Sequence, residues 1–418
     1  MNQHRISMHH WALLMLYSLL WLIFLPFLLT IKRLTPVDNG RLGFGMPKGP
    51  YKIWIQAASL GEAKLAVNLV QELNSRGVTS ILVTTNTRQG MELLEKKLGP
   101  NTGKAYFPFD IVCFMGLALL RVKPSCLVLL ETEIWPSLLY VCRKNKIPVV
   151  LGNGRMSLKS FCRYYFLRKL LAGIGPGEIE AVSRKDRERF SAVFPYAETA
   201  LMPNIKFDLL AQAEPIAYVQ NPLSSYFKPK HPLIVLGSIR KEEEPLIFNV
   251  IQRIHINRPK TTVALFPRHL TRIDKWKDLL QKNYIPWILR SDMQTGTAPS
   301  GVIIWDKFGE LEPAYALARS AFVGGSLMPC GGQNFLEALA QGLIPCVGPF
   351  RDNFHWVGNE ILDAGLLIEV KDEQELYQKL ILSQTGSREN VEKKFREYLQ
   401  DRLGGTAMLA ERAVRNLR

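Results

Sequence analysis

Signatures of metal and disulfide chemistry are missing from this chain. Its six cysteines, Cys113, Cys126, Cys142, Cys162, Cys330 and Cys346, include no C-x-x-C pair. That excludes a zinc ribbon and a disulfide framework, and it fits reduced, mostly buried thiols. There is no H-E-x-x-H and no carboxylate-rich metal loop, and three of the seven histidines (His4, His9, His10) fall in the N-terminal tail. Short internal repeats and low-complexity tracts are also absent, so a repeat architecture is excluded. No aromatic-basic strand module of the kind that reads nucleic acid accompanies the formal net charge of +16. Charge of that size then calls for other anionic partners, a membrane surface or phosphorylated substrates.

Charged side chains are missing from one stretch altogether. "MHHWALLMLYSLLWLIFLPFLLT" (residues 8–30) contains no Asp, Glu, Lys or Arg. Roughly 20 apolar residues span a bilayer core, whereas the apolar region of a cleaved signal is about 7–15 long. No small-x-small cleavage site follows, so a retained single-pass anchor is expected over residues 1–34. Lys32, Arg33, Arg41 and Lys48 follow the segment and Arg5 precedes it. The positive-inside rule then puts the main body in the cytoplasm. Trp11 and Trp21 fit either an interfacial belt or plain lipid packing.

What remains of the 418 residues, 47% hydrophobic overall, is enough for two cored domains. Apolar runs at 51–59, 80–87, 126–131 and 147–154 read as buried strands separated by helical patterns. The alternation restarts with runs at 232–238, 261–267, 301–306, 320–325 and 343–348. The Pro-rich, polar stretch 211–232 lies between the two series. Parallel α/β architecture is expected, as two Rossmann-like domains facing a cleft: an N-terminal domain over 35–213 and a C-terminal domain over 214–390. A last helix, 391–418, is expected to pack back across the join.

Ligands of such sheets sit beyond the carboxyl ends of the strands, and every motif here falls at such an end. In the second series, "FVGGSLMPCGGQNFLEALAQGLIPCVGP" (322–349) sets two glycine pairs ahead of a helical pattern. Gly331 and Gly332 permit close backbone approach. Asn334 is a candidate N-cap with Glu337 at capping-box spacing, and free N–H groups there suit a phosphate. Asn-x-x-Glu also serves simply to cap its own helix. "LFPRH" offers Arg268 to a phosphate, and Gly309-Glu310-Leu311 offers backbone to a base edge. A solvated arginine and an ordinary turn are the plainer readings. In the first series, "AASLGEAK" gives Ser59 and Glu62, a capping box or a base at the mouth of the cleft. "LLETEIWP" gives Glu131 and Glu133 beside the wall of Trp135-Pro136. "GNGRMS" brings Arg155, and "PNIKFD" brings Lys206 and Asp208. Both cations could meet an anionic sugar or a phosphate.

"ASLGE", "ETEIWP", "NIKFD", "FPRH", "FGEL", the glycine-rich stretch and Asn353-Phe354 occur in one order over nearly the whole chain. In these motifs the sequence resembles the 3-deoxy-D-manno-octulosonic acid (Kdo) transferases of lipopolysaccharide synthesis. The resemblance implies a GT-B fold and an inverting, metal-independent transfer of Kdo from CMP-Kdo to a lipid A precursor (lipid IVA) at the inner membrane. No cofactor is implied beyond the donor substrate. Glu62 would be the general base, with Glu131 and Lys206 stabilising the transition state. Pro267, Arg268, Gly309, Glu310, Leu311, Asn334, Phe335, Leu336 and Glu337 would bind CMP. Ser59, Gly61, Arg155, Ser326, Gly331 and Gly332 would make further donor or acceptor contacts. The chain departs from the family pattern at Gln333 (His in the family), Arg240 (His) and Gly154 (Ala). Alternatives are a GT-B envelope enzyme using a UDP-sugar and a non-catalytic membrane-anchored binder of lipid or nucleotide.

Overall fold

The computed structural model describes residues 8–28, 41–296, 300–382 and 387–417. The chain divides into two compact units, Met1–Leu209 with Arg402–Arg418, and Leu210–Asp401.

In the first unit, β1 (Ile53–Gln56), β2 (Ile81–Thr85), β3 (Gly103–Tyr106), β4 (Cys126–Leu130), β5 (Val149–Gly154), β6 (Glu178–Ala181) and β7 (Glu198–Leu201) form one parallel sheet. Its order is β3-β2-β1-β4-β5-β6-β7, with Ile53 of β1 opposite both Ile81 and Cys126. β1, β2, β4 and β5 are buried at every residue, as a sheet covered by helices on both faces requires. Alternate side chains serve opposite faces. Trp54, Leu82 and Leu127 enter one core, and Ile53, Ile55 and Val128 enter the other. The order reverses between β1 and β4, and this switch point is where a doubly wound sheet opens a crevice.

The second unit repeats the plan. β8 (Leu233–Ile239), β9 (Thr262–Pro267), β10 (Trp287–Leu289), β11 (Gly301–Ile304), β12 (Ser320–Val323), β13 (Cys346–Val347) and β14 (Ile368–Glu369) pair in the order β10-β11-β9-β8-β12-β13-β14, all parallel. Its switch point lies between β8 and β12. The apolar runs read from the sequence all contain strands. β3, β6, β7, β10 and β14, which the sequence pattern did not disclose, have four residues or fewer each.

One expectation about helices needs amendment. The last helical stretch is not one element. Arg388–Gln400 belongs to the second unit and Gly405–Arg415 to the first. The break falls at Gly404, whose φ of +96° is open to glycine but costly for other residues. Asp208 then caps the final helix, accepting hydrogen bonds from Gly404 N (2.8 Å), Thr406 N (2.6 Å) and Thr406 Oγ1 (2.6 Å).

The apolar N-terminal segment forms the helix Met8–Leu28, with side chains described over residues 11–25. Among the described residues no helix is long and apolar enough to cross a membrane. Arg5, Lys32 and Arg33, on which the orientation argument rests, lie outside the described residues. One face of this helix docks on the first unit. Leu14 is fully buried, Tyr17 donates to Asp110 Oδ2 at 3.0 Å, and the Trp21 ring lies 6.2 Å from that of Phe109. Asp110 also accepts from Ser137 N (3.1 Å) and Leu138 N (3.0 Å), so it caps the helix Pro136–Lys144 at the same time. The other face leaves Trp11, Leu13, Leu16, Leu20, Ile23 and Phe24 exposed.

Asp208→Ala removes a charged acceptor from three donors and frays the final helix. The expected loss is on the order of 2 kcal/mol, read as a lower denaturant midpoint for the first unit.

Candidate functional site

At the first switch point the chain leaves β1 through Ala58 and Ser59 into the helix Leu60–Ser75. Ser59 is the N-cap, its Oγ accepting from Glu62 N at 3.3 Å. The carboxylate of Glu62 folds back, accepting from Ala58 N at 2.6 Å and from Ser59 Oγ at 2.9 Å. The capping box is therefore real, and the same carboxylate stands at the carboxyl edge of the sheet. Gly61 is exposed beside it, and a methyl group there would meet only Ser59 Oγ, at 3.8 Å. Burial and the charge of Glu131 raise the pKa of Glu62. The bonds from Ser59 and Ala58 and the charge of Lys206 oppose the rise without cancelling it.

Across the switch point, β4 ends in Glu131. Its φ of +58° is unusual for a residue other than glycine. Lys206 Nζ donates to Glu131 Oε1 at 2.6 Å, and Arg155 Nη2 donates to Oε2 at 3.2 Å. Burial alone would raise the pKa of Glu131, but these two cations outweigh it and hold the carboxyl below its usual range. Lys206 is positioned by β5. Asn153, at φ +56°, turns its Oδ1 to accept from Ile205 N at 3.0 Å, the first residue of the helix Ile205–Ala211 that carries the lysine. Glu133 follows in the same loop, held by Trp135 Nε1 at 2.8 Å. The expected group Ser59, Glu62, Glu131, Arg155 and Lys206 thus converges on one sheet edge.

The glycine loop of the second unit has an internal occupant. Glu243, fully buried after β8, accepts from Gly325 N (2.5 Å), Ser326 N (2.9 Å) and Leu327 N (2.8 Å) across the switch point. Ser326 spends its hydroxyl on Val323 O (2.7 Å) and on Gly348 N (2.8 Å). Sequence reasoning missed Glu243, and the only hint was an acidic run just past a strand end. Gly331 has φ +83°, and a side chain there would meet Asn353 at 2.5 Å, so the loop packs directly on the Asn353-Phe354 motif. Gly332 N donates to Gly325 O at 2.6 Å, drawing the two glycine pairs together.

Asn334 is not the N-cap that its spacing suggested. Phe335 takes that position, and the helix shortens to Leu336–Ala340 because Gly342 ends it at φ +67°. Asn334 Nδ2 instead donates to Glu337 Oε1 at 2.9 Å, tying the two side chains together. Phe335 and Leu336 are buried, the former 4.9 Å from the ring of Phe354. Pro267 ends β9 in the core, while Arg268 and His269 are exposed beyond it. The Arg268 side chain has no ion pair among the described residues. Gly309 turns at φ +81° ahead of the helix Leu311–Leu317. The carboxylate of Glu310 is engaged by Arg290 Nε (2.9 Å), Arg290 Nη2 (3.2 Å) and Trp305 Nε1 (2.9 Å). That leaves the backbone of Gly309, Glu310 and Leu311 as the part able to read a base. Arg240 lies 3.5 Å from Glu242, and Gln333 packs against Gly325. Among the described residues no group of His, Cys, Asp and Glu is arranged to hold a metal ion.

Comparison with known proteins gives this geometry a context. A family model described as 3-Deoxy-D-manno-octulosonic-acid transferase (kdotransferase) matches residues 38–209. The 3-deoxy-D-manno-octulosonic acid transferase of Bordetella pertussis is 31% identical over 351 residues, covering 81% of this chain and 80% of that one. The Haemophilus influenzae protein of the same name is 28% identical over 349 residues, covering 82% and 81%. Among solved structures, a glycosyltransferase from Rickettsia africae superposes with a TM-score of 0.58 at 11% identity, over 88% of this chain and 99% of that one. UDP-GlcNAc 2-epimerase from Neisseria meningitidis gives 0.57 at 15% identity, over 87% and 99%. These last two likenesses concern the fold alone.

Glu243→Ala leaves three buried N–H groups of the glycine loop without an acceptor. The expected cost is about 3 kcal/mol, read by calorimetry as a lower unfolding temperature of the second unit.

Proposed function

The chain belongs to the 3-deoxy-D-manno-octulosonic acid transferase family of glycosyltransferases, and from that premise we propose that it moves Kdo from CMP-Kdo to a hydroxyl of a lipid A precursor, with inversion and without a metal. The observation that carries this reading is the sheet edge of the first unit. There Glu62 has no ion pair among the described residues, next to Glu131, whose charge is matched by Lys206 and Arg155. In the proposed step Glu62 takes the proton of the acceptor hydroxyl as its oxygen bonds to the anomeric carbon of the sugar. The bond from that carbon to the phosphate oxygen breaks, and its electron pair leaves with CMP. Attack on the face opposite the leaving group inverts the centre. The departing phosphate needs positive partners, and Arg268, exposed and without an ion pair among the described residues, is the proposed one. Pro267, the backbone of Gly309, Glu310 and Leu311, and the segment Asn334, Phe335, Leu336 and Glu337 are proposed to hold the rest of CMP.

The lipid acceptor is supported by a surface of the first unit. Besides the apolar outer face of the helix Met8–Leu28, the same unit exposes Leu158, Tyr165, Phe166 and Leu167 on and just after the helix Leu158–Phe166. Lys159, Arg163 and Lys169 are exposed around them. Apolar tips ringed by basic residues suit an anionic membrane surface, each charge contributing on the order of 1 kcal/mol near it. We place the protein at the inner membrane with both units on the cytoplasmic face. No cofactor beyond the donor substrate enters this scheme.

Incubation of the purified protein with CMP-Kdo or with UDP-sugars, in the presence of lipid IVA, tests the proposal by mass spectrometry of the lipid. Addition of Kdo from CMP-Kdo alone is the expected result, and transfer only from a UDP-sugar overturns it. Glu62→Ala is expected to lower turnover by at least about 10²-fold while CMP binding by calorimetry stays within a few-fold. A Leu158→Glu, Phe166→Glu double variant is expected to sediment less with anionic vesicles than the native protein.

A further inference from the structure

The two segments proposed to contact CMP in the second unit each open a very short helix. Gly309-Glu310-Leu311 leads into Leu311–Leu317, and the Asn334–Glu337 segment leads into Leu336–Ala340. Isolated helices are marginal in water below about 12–15 residues, so these two take their direction from what they touch. Arg388 touches the far end of both. Its Nη2 donates to Tyr315 O at 3.2 Å, in the last turn of the first helix, and to Ala318 O at 2.5 Å, at its C-cap. Its Nη1 donates to Gln341 O, at the C-cap of the second helix. These carbonyls carry the partial negative charge of two helix ends, and one guanidinium answers both. Gly342, at φ +67°, leaves room for the approach: a Cβ there would lie 2.9 Å from Glu392 Oε1 and 3.0 Å from Arg388 Cβ.

A second tie crosses between the same helices. The buried Gln341 side chain donates through Nε2 to Glu312 Oε1 at 3.0 Å, in the first turn of Leu311–Leu317, and its Oε1 accepts from Ile216 N at 2.8 Å. Asn221, also buried, adds a bond from Nδ2 to Pro313 O at 2.8 Å. The Pro-rich stretch between the two series of strands therefore braces the first helix from another side.

We propose that Arg388 is a positioning residue for the donor site: by holding the carboxyl ends of both helices it fixes the Gly309–Leu311 turn relative to the Asn334–Glu337 segment, and so sets how tightly the cytidine nucleotide is held. This rests on the donor reading above and names a residue outside its proposed contacts. The helices are only about 10 and 8 Å long, so a shift at either C-cap reaches the first turn nearly undiminished. Without Arg388 each helix can tilt about the Gln341–Glu312 tie, and the two halves of the site lose their alignment. Lysine keeps the charge but lacks the planar fork that meets three carbonyls on two helices, so it does not restore the arrangement.

The experiment uses the full chain and has two arms. The variants are Arg388→Met and Arg388→Lys, the second carrying the test should the first fail to fold. Leu380→Ala, in the core of the same unit, is the control for simple loss of stability. The first arm needs no ligand. Hydrogen exchange by mass spectrometry is expected to be at least about fivefold faster than native in both peptides, 309–317 and 334–341, of each Arg388 variant, and unchanged there in the control. Faster exchange in one peptide alone, or in neither, overturns the coupling. In the second arm CMP is titrated by calorimetry, each protein at the same interval below its unfolding temperature. Kd is expected to rise about tenfold in both Arg388 variants and to stay within about twofold in the control. KM for CMP-Kdo should rise in step while kcat stays within about threefold. A native Kd in a folded Arg388 variant, or an equal rise in the control, overturns the assignment. If the native protein binds no CMP while both peptides respond to Arg388, the donor reading fails and the coupling of the two helices stands.

Discussion

Ion pairing at Glu131 is the constraint on which the arrangement of the first unit depends. The residue sits in left-handed backbone, a conformation that costs a non-glycine residue of order 1–3 kcal/mol. It persists because Lys206 and Arg155 converge on its carboxylate from two different segments. Arg155 follows β5, and Lys206 lies in the first turn of a helix held by Asn153 of that same strand. The pairing therefore fastens the end of β4 to the loops beyond β5. It also uses both nearby cations, and this leaves Glu62 to be satisfied by the backbone and hydroxyl of its own cap. A carboxylate with two ordinary donors and no ion pair among the described residues can be neutralised by a proton, whereas Glu131, between two cations, cannot readily be.

The second unit solves the same topological problem differently. There too the strand order reverses beside the first strand, and there too a carboxylate sits at the crossover. Glu243, however, is fully buried and saturated by three consecutive N–H groups, so it shapes the loop rather than facing outward. The positive φ at Gly325, Gly331 and Gly332 lets that loop wrap around it and return toward Asn353. The glycines that first suggested an anion site do hold an acceptor, the carboxyl group of Glu243, and its source is the chain itself. The proposed donor contacts are therefore at the rim: Arg268, the turn at Gly309 and the Asn334–Glu337 pair.

The elements legible in the sequence were those whose burial is two-sided. β1, β2, β4, β8 and β9 are continuous apolar runs because helices cover both faces, and both the runs and the turns that close them were readable. β3 and β7 are edge strands with polar residues and partial exposure, so their composition does not separate them from loops. The Ser59–Glu62 cap was legible because its signal is local. The cap proposed at Asn334 failed because Gly332 and the packing of Phe335 on Phe354 set the entry to that helix, and neither is a property of the four-residue spacing. Glu243 could not be found from sequence, since its partners lie 82 to 84 residues away. Asn153 was visible only as part of a glycine-flanked turn, and its partner Ile205 is 52 residues on.

One link between the N-terminal helix and this edge runs through the carboxylate of Asp110. Asp110 accepts from Tyr17 on one side and from Ser137 and Leu138 on the other. The helix that begins at Pro136 is entered through Trp135, which packs 5.0 Å from the ring of Phe107 and holds Glu133. A rotation of the N-terminal helix about its own axis would break the Tyr17 bond, unseat Leu14 and part Trp21 from Phe109. Its outward apolar face therefore keeps a fixed bearing relative to Glu133, and through β1 and β4 relative to Glu62. If the acceptor is membrane-borne, as proposed above, that bearing would set the angle at which its hydroxyl meets Glu62. On that proposal the docking of the helix would contribute geometry as well as affinity for the surface.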